Sequence, residues 1–135
     1  MHEPDHSRID RSLTVGAPIE RLWRAVSTAD GLEAWLGGEV ELDARPGRPV
    51  LVRWPDRSTS RGLVERVEPP NRFVFRWRRI EGAGLLGLHV GEPTRVEIRL
   101  TGVDEHLTRI DIQESPAPMP LRPLAVAAAP GEGAG

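Results

Sequence analysis

A chain of 135 residues is the size of one domain around one hydrophobic core, and its 18 cationic and 20 acidic side chains are scattered along it, giving a net charge of −2 that offers no field for a nucleic acid or an anionic membrane. There is no cysteine, which excludes disulfide staples, thiolate catalysis and cysteine-ligated zinc. Every cation is arginine, and lysine and tyrosine are absent, so Schiff-base catalysis through lysine and general-acid catalysis through tyrosine are excluded too. The arginine-only usage, with Asn71 and Gln113 as the only side-chain amides, points to a GC-rich bacterial genome. The stretch from Met1 to Ser7 lacks the basic-then-apolar pattern of a signal peptide, and the longest pure apolar run is Leu124 to Ala129, so a cytoplasmic protein is expected.

Ile9, Arg11, Leu13 and Val15 alternate with Asp10, Ser12 and Thr14, which predicts a first strand with one inward face. Pro18 suits a first helical position, and Ile19, Leu22, Trp23 and Val26 then recur at helical spacing, predicting a short amphipathic helix that ends near Ser27. A second, carrying Leu32, Trp35 and Leu36, is expected from Thr28 to Leu36, stopped by Gly37-Gly38. From Glu39 the period changes to two. Val40 and Leu42, then Val50, Val52 and Trp54 after the turn at Arg45–Arg48, then Leu63 to Val67, predict three strands, and Pro69-Pro70-Asn71 makes the next break. Phe73, Phe75 and Trp77 share a face against Arg72, Arg76 and Arg78; Val96, Ile98 and Leu100 share one against Arg95, Glu97 and Arg99; Ile110 and Ile112 point inward on the last strand. Residues 1–7 are expected to be a flexible N-terminus, 8–115 the domain, and 116–135 a largely flexible tail rich in Pro, Gly and Ala. Gly82 to Gly91 is expected to be a loop, with Leu85, Leu86 and Leu88 needing cover over a cavity mouth.

The succession Ala17-Pro-Ile-Glu-Arg-Leu-Trp23, Trp35-Leu-Gly37, Arg45-Pro-Gly47, Gly62-Leu-Val-Glu-Arg-Val-Glu-Pro-Pro70, Phe75-Arg-Trp77 and Thr94-Arg-Val96 resembles the SRPBCC (START-like, helix-grip) superfamily, and within it the branch named for the activator of the heat-shock chaperone ATPase. The resemblance runs from about Ile9 to Ser115. It implies an α+β helix-grip fold: a curved antiparallel sheet of about seven strands, two short helices after the first strand, and a cavity between the sheet and a long C-terminal helix that often holds an apolar molecule. That long helix is expected to be missing or reduced here, because Pro116, Pro118, Pro120 and Pro123 interrupt the segment that would form it. Something else must then cover the inner face, either Leu121 to Ala129 as a short segment or a second copy in a symmetric dimer.

On that fold Trp23, Trp35, Trp54, Phe73, Phe75 and Trp77 would line the concave side as an aromatic pocket for a flat apolar ligand; packing of a core explains the same rings without one. Glu114 and Arg11 share the inward phase of strands that the resemblance makes neighbours, which predicts an internal pair and puts both among the candidate ligand-binding residues, with a role for Glu114 as a base or a holder of a ligand hydroxyl as the alternative. His89 is a further acid–base candidate, with no partner visible in sequence. His2, Glu3, Asp5 and His6 offer metal-ligating groups but no fixed geometry, so no metal and no cofactor is expected. Arg76, Arg78 and Arg79 imitate a nucleic-acid strand, but Glu65, Glu68 and Glu97 offer cross-strand partners. Three functions stay open. The leading one is a noncatalytic binding domain for a small apolar molecule, the second a co-chaperone-like interaction module whose concave face a protein partner covers, and the third a cyclase- or dehydratase-type enzyme using Glu114.

Overall fold

The computed structural model describes residues 9–84 and 87–117, with backbone alone over 82–90. Strand β1 (Ile9–Val15) leads into two short helices, α1 (Ile19–Val26) and α2 (Ala29–Leu36). Pro18 stands at the N-cap of α1, where its missing N–H is no loss. Thr28 caps α2, its hydroxyl accepting the Gly31 N–H at 3.1 Å. Gly37 ends that helix in the left-handed region at φ 85°, a conformation that strains any residue with a Cβ. One turn upstream of that glycine, Glu33 accepts the Val40 N–H at 3.0 Å and ties the helix to the next strand.

The remaining strands are β2 (Glu39–Leu42), β3 (Pro49–Arg53), β4 (Thr59–Glu68), β5 (Arg72–Gly84), β6 (Gly87–Val90), β7 (Thr94–Asp104) and β8 (Leu107–Pro116). They form one antiparallel sheet in the order β1-β8-β7-β5-β4-β3-β2, with β6 pairing β5 beyond the end of the β5–β7 register. Seven strands in one path, with two helices after the first of them, is the expected α+β architecture. The expected loop from Gly82 to Gly91 is corrected: β5 continues to Gly84, and Gly87–Val90 pairs back on it with Glu81 opposite His89. Glycines without turn-forming neighbours do not break a strand when an adjacent strand supplies the ladder. Leu85, Leu86 and the cover over a cavity mouth, like His2 to His6 and the tail segment Leu121 to Ala129, lie outside the described residues, as do the side chains of Leu88 and His89.

The alternation in β5 divides the sheet into two faces. Phe73, Phe75 and Trp77 stand opposite Ile98, Val96 and Thr94 of β7, and Leu100 stands opposite Ile110 of β8. Leu22 and Val26 of α1 join this cluster, while Leu32 of α2 packs with Val40 and Val52. The helices therefore sit on the same face as the rings. A bulge between Val64 and Arg66 lets both Val64 and Val67 face inward, opposite Phe75 and Phe73. Thr108, fully buried, donates to the Ala17 carbonyl at 2.8 Å and pins the entry of α1 to β8.

The outer face is held by charge. Glu97 accepts from Arg72 Nε at 2.7 Å, Arg99 Nε at 2.6 Å and Arg95 Nη1 at 3.2 Å, and Glu65 accepts from Arg76 Nε at 2.9 Å and Arg95 Nε at 3.2 Å. Val74 points outward between these groups, opposite Arg66 and Glu97, and is still fully buried. Burial pushes the Glu97 and Glu65 carboxyls up, but the guanidinium hydrogen bonds and charges outweigh it and hold both below the usual carboxylate range.

Because those folded-state values are depressed, the two carboxylates contribute stability that is complete above their unfolded value of about 4.3 and lost as pH falls through the folded one. Glu97→Gln should lower stability by about 2–4 kcal/mol at neutral pH, since it leaves three guanidiniums without their shared partner. Urea denaturation followed at pH 7 and again near pH 3.5 should show the gap between variant and parent shrinking in acid; a gap that stays constant would contradict this account.

Candidate functional site

On the inner face the aromatic rings form a continuous run. Trp23 meets Phe73 edge-on at 6.3 Å, Phe73 lies 5.5 Å from Phe75, Phe75 meets Trp77 edge-on at 4.9 Å, and Trp77 meets Trp54 at 6.4 Å. The run changes character along its length. Phe73 and Phe75 are buried among the aliphatic residues of the core, whereas Trp23, Trp54 and Trp77 are only partly buried. Trp35 stands apart from the run: it is 46% exposed on α2, because Leu32 and Leu36, one turn apart, take the packed side of that helix. Of the expected pocket rings, five are brought together and Trp35 is not.

Polar groups gather at the open end. Glu114, half-buried on β8 opposite Val96, accepts the Thr94 hydroxyl at 2.6 Å and the Trp77 indole N–H at 3.3 Å, both on Oε2. The expected pair between Glu114 and Arg11 is not formed. Register explains this: Ile9, and not Arg11, stands opposite Glu114, while Arg11 faces Ile112 on the exposed edge strand. Both side chains keep the inward phase, but the carboxylate finds neutral donors on β5 and β7. Glu114 is thus an acceptor carboxylate at the rim of an aromatic surface, with Oε1 not engaged by any donor of the described residues.

Neighbouring groups lock the second tryptophan of this end. Trp54 donates its indole N–H to Ser60 Oγ at 2.9 Å, and the Arg79 guanidinium lies 5.6 Å above its ring. Arg79 itself donates to Ser58 Oγ at 3.0 Å and Asp56 at 2.8 Å, and hydrogen bonds from Ser58, followed by the Arg79 charge, hold Asp56 below the usual carboxylate range. Asp56, Ser58, Ser60, Thr94 and Arg79 were not identified from sequence as site residues, since the turn at 54–58 and the β4–β5 register that assemble them leave no local pattern. At the other margin, Ile9 and Leu13 of β1 carry the inward phase but are 40% and 47% exposed, so the apolar surface continues to the edge of the sheet. A hollow of about 420 Å³ lies mainly on the opposite face, and four of the charged groups that line it pair with one another, Arg99 with Glu97 at 2.6 Å and Arg109 with Asp111 at 3.1 Å. The rim around Trp77 and Glu114 is the better candidate, because it joins apolar surface to an acceptor with spare capacity.

A family model described as Activator of Hsp90 ATPase homolog 1-like protein matches residues 16–130, running past the Ser115 at which the recognisable motifs end. No curated protein matches the chain. Among solved structures, DynU16, from the dynemicin biosynthetic locus, is 26% identical with a TM-score of 0.68; the match covers 94% of this chain, which spans only 43% of DynU16. Bacillus halodurans protein BH1534 is 28% identical over 83% of this chain and 70% of its own, with a TM-score of 0.62. An HSP90 activator from Plasmodium falciparum is 17% identical, covering 83% of this chain and 74% of its own at a TM-score of 0.65, a likeness of fold alone.

The Glu114 contacts have a measurable cost of loss. Thr94→Val removes the shorter of the two hydrogen bonds to a half-buried carboxylate and should destabilise by about 1–2 kcal/mol in urea denaturation, with a change in Trp77 fluorescence as the carboxylate resettles. An unchanged midpoint would mean that water replaces the hydroxyl at no cost.

Proposed function

The chain belongs to the Activator of Hsp90 ATPase homolog 1-like family, and from that membership we propose that it is a noncatalytic binding domain for a small apolar molecule carrying one polar group, seated on the inner face beside Trp77 and Glu114. The fold is one of ligand-binding and interaction modules, and the observation that carries the narrower reading is the junction of a half-buried aromatic surface with a carboxylate already oriented by Trp77 and Thr94. Flat apolar surface supplies affinity there. Glu114 Oε1 supplies direction, accepting a ligand hydroxyl or N–H. A ligand burying about 300 Å² of apolar area gains roughly 7 kcal/mol before the entropic costs of association, so micromolar is the upper limit that apolar burial alone can reach.

Exposed Ile9 and Leu13 support a second reading, in which a protein partner or a second copy covers this margin of the sheet. Light scattering at micromolar concentration separates the two, since a ligand-binding monomer keeps its mass while a dimer doubles it.

Naphthalene and 2-naphthol provide the direct test, read by quenching of tryptophan fluorescence. Glu114→Leu should weaken 2-naphthol about tenfold, the value of one charge-assisted hydrogen bond, and leave naphthalene unchanged. Equal losses for both compounds, or no quenching by either, would sink the ligand-binding reading.

A further inference from the structure

Three arginine pairs stand directly opposite one another on the outer face: Arg72 with Arg99, Arg76 with Arg95, and Arg61 with Arg78. Like charges in register repel, and a sheet tolerates them only where something neutralises them. Two of the pairs are neutralised from within the chain. Glu97 Oε2 bridges Arg72 and Arg99 at 2.7 and 2.6 Å, and Glu65 Oε1 bridges Arg76 and Arg95 at 2.9 and 3.2 Å. The third pair has no such bridge: no ion pair joins Arg61 or Arg78 to a carboxylate among the described residues, and Arg78 Nε is buried without a hydrogen-bond partner. Glu41, in the same cross-strand row as Arg61 on the outer face, is engaged by Arg53 at 2.7 Å. A buried donor left unmade is costly, and its persistence marks a place where an acceptor belongs.

We infer that the Arg61–Arg78 pair takes its carboxylate from outside the chain, as an acidic side chain of a protein partner that docks on the outer face of β4 and β5. The chemistry of the occupant follows from the two bridged pairs beside it, where the planar fork of each guanidinium meets a carboxylate that serves two arginines at once. Charge complementarity agrees. The three pairs and Arg66 set seven guanidiniums against Glu65, Glu68 and Glu97 on β4, β5 and β7, a local excess of positive charge on a chain whose net charge is −2. Such a strip steers an acidic segment to the unbridged pair. This site lies on the face opposite Trp77 and Glu114 and does not depend on what binds there.

The test uses the full chain and a fluorescein-labelled hexaglutamate peptide, followed by anisotropy at low ionic strength. Binding is expected for the parent, at least about tenfold weaker for Arg61→Ala/Arg78→Ala, and within about twofold of the parent for Arg53→Ala, which removes an outer-face arginine that already has its partner. Thr59→Glu gives an independent measurement. Position 59 stands to Arg61, and opposite Ile80, as Glu97 stands to Arg99 opposite Val74, so the new carboxylate should bridge the pair from within, raise the thermal midpoint and abolish peptide binding. The inference is overturned if the parent does not bind the peptide, if Arg53→Ala weakens binding as much as the double variant, or if Thr59→Glu neither stabilises nor blocks. Competition by inorganic phosphate at lower concentration than acetate would assign the pair to a phosphate group and overturn the carboxylate assignment.

Discussion

The register of β5 between β4 and β7 is the constraint on which both faces of this protein depend. Over residues 72–77 the strand is paired on both sides, and each inward ring alternates with an outward side chain: Phe73, Phe75 and Trp77 against Arg72, Val74 and Arg76. A slip of one residue would turn the arginines into the core and the rings into water. Unpaired guanidiniums cannot be buried at any cost a domain of this size can bear, with a whole net stability of about 5–15 kcal/mol. The bulge between Val64 and Arg66 belongs to the same constraint, since it restores the phase of β4 so that Val67 reaches Phe73.

Arginine as the sole cation suits this arrangement. A carboxylate that bridges two strands needs partners whose donors lie in a fixed plane, and Glu97 draws Nε of both Arg72 and Arg99 onto one oxygen while Arg95 reaches the other. Val74, in the row between these charges, is fully buried, so the outer face keeps an apolar residue beneath them. The face is thus cross-linked across three strands by two residues, Glu65 and Glu97.

The inner face runs from dry to wet. At one end Phe73, Ile98 and Leu100 lie under α1 with almost no exposure; at the other Trp77, Trp54 and Glu114 are only partly covered, and beyond Ile112 the edge strand exposes Ile9 and Leu13. Hydrogen-bonding side chains appear where the helices stop covering the sheet. Thr94 and the Trp77 indole N–H satisfy Glu114 there, while Ser60 satisfies Trp54. A carboxylate in that position is only partly covered, and two donors give it a fixed direction.

Local sterics and period explain what could be read from the chain alone. The alternation of residues 72–78 and 94–100, the helical spacing from Ile19 to Val26, and the stops at Gly37-Gly38 and Pro69-Pro70 are properties of neighbours in sequence, and the structure has a strand, helix or break at each. The clustering of Trp23, Trp54, Phe73, Phe75 and Trp77 followed from the same phasing. What the chain could not disclose was anything set by register between distant strands. Arg11 and Glu114 have matching phase, yet pairing puts Ile9 opposite Glu114 and brings Thr94 and Trp77 to the carboxylate instead. The hairpin of β6 on β5 lies in a glycine-rich stretch that carries no strand pattern of its own. Three opposed arginine pairs, two bridged and one not, exist only once β4, β5 and β7 are aligned. Period is a property of one strand and can be counted; register is a property of two, and only the closed tertiary structure chooses it.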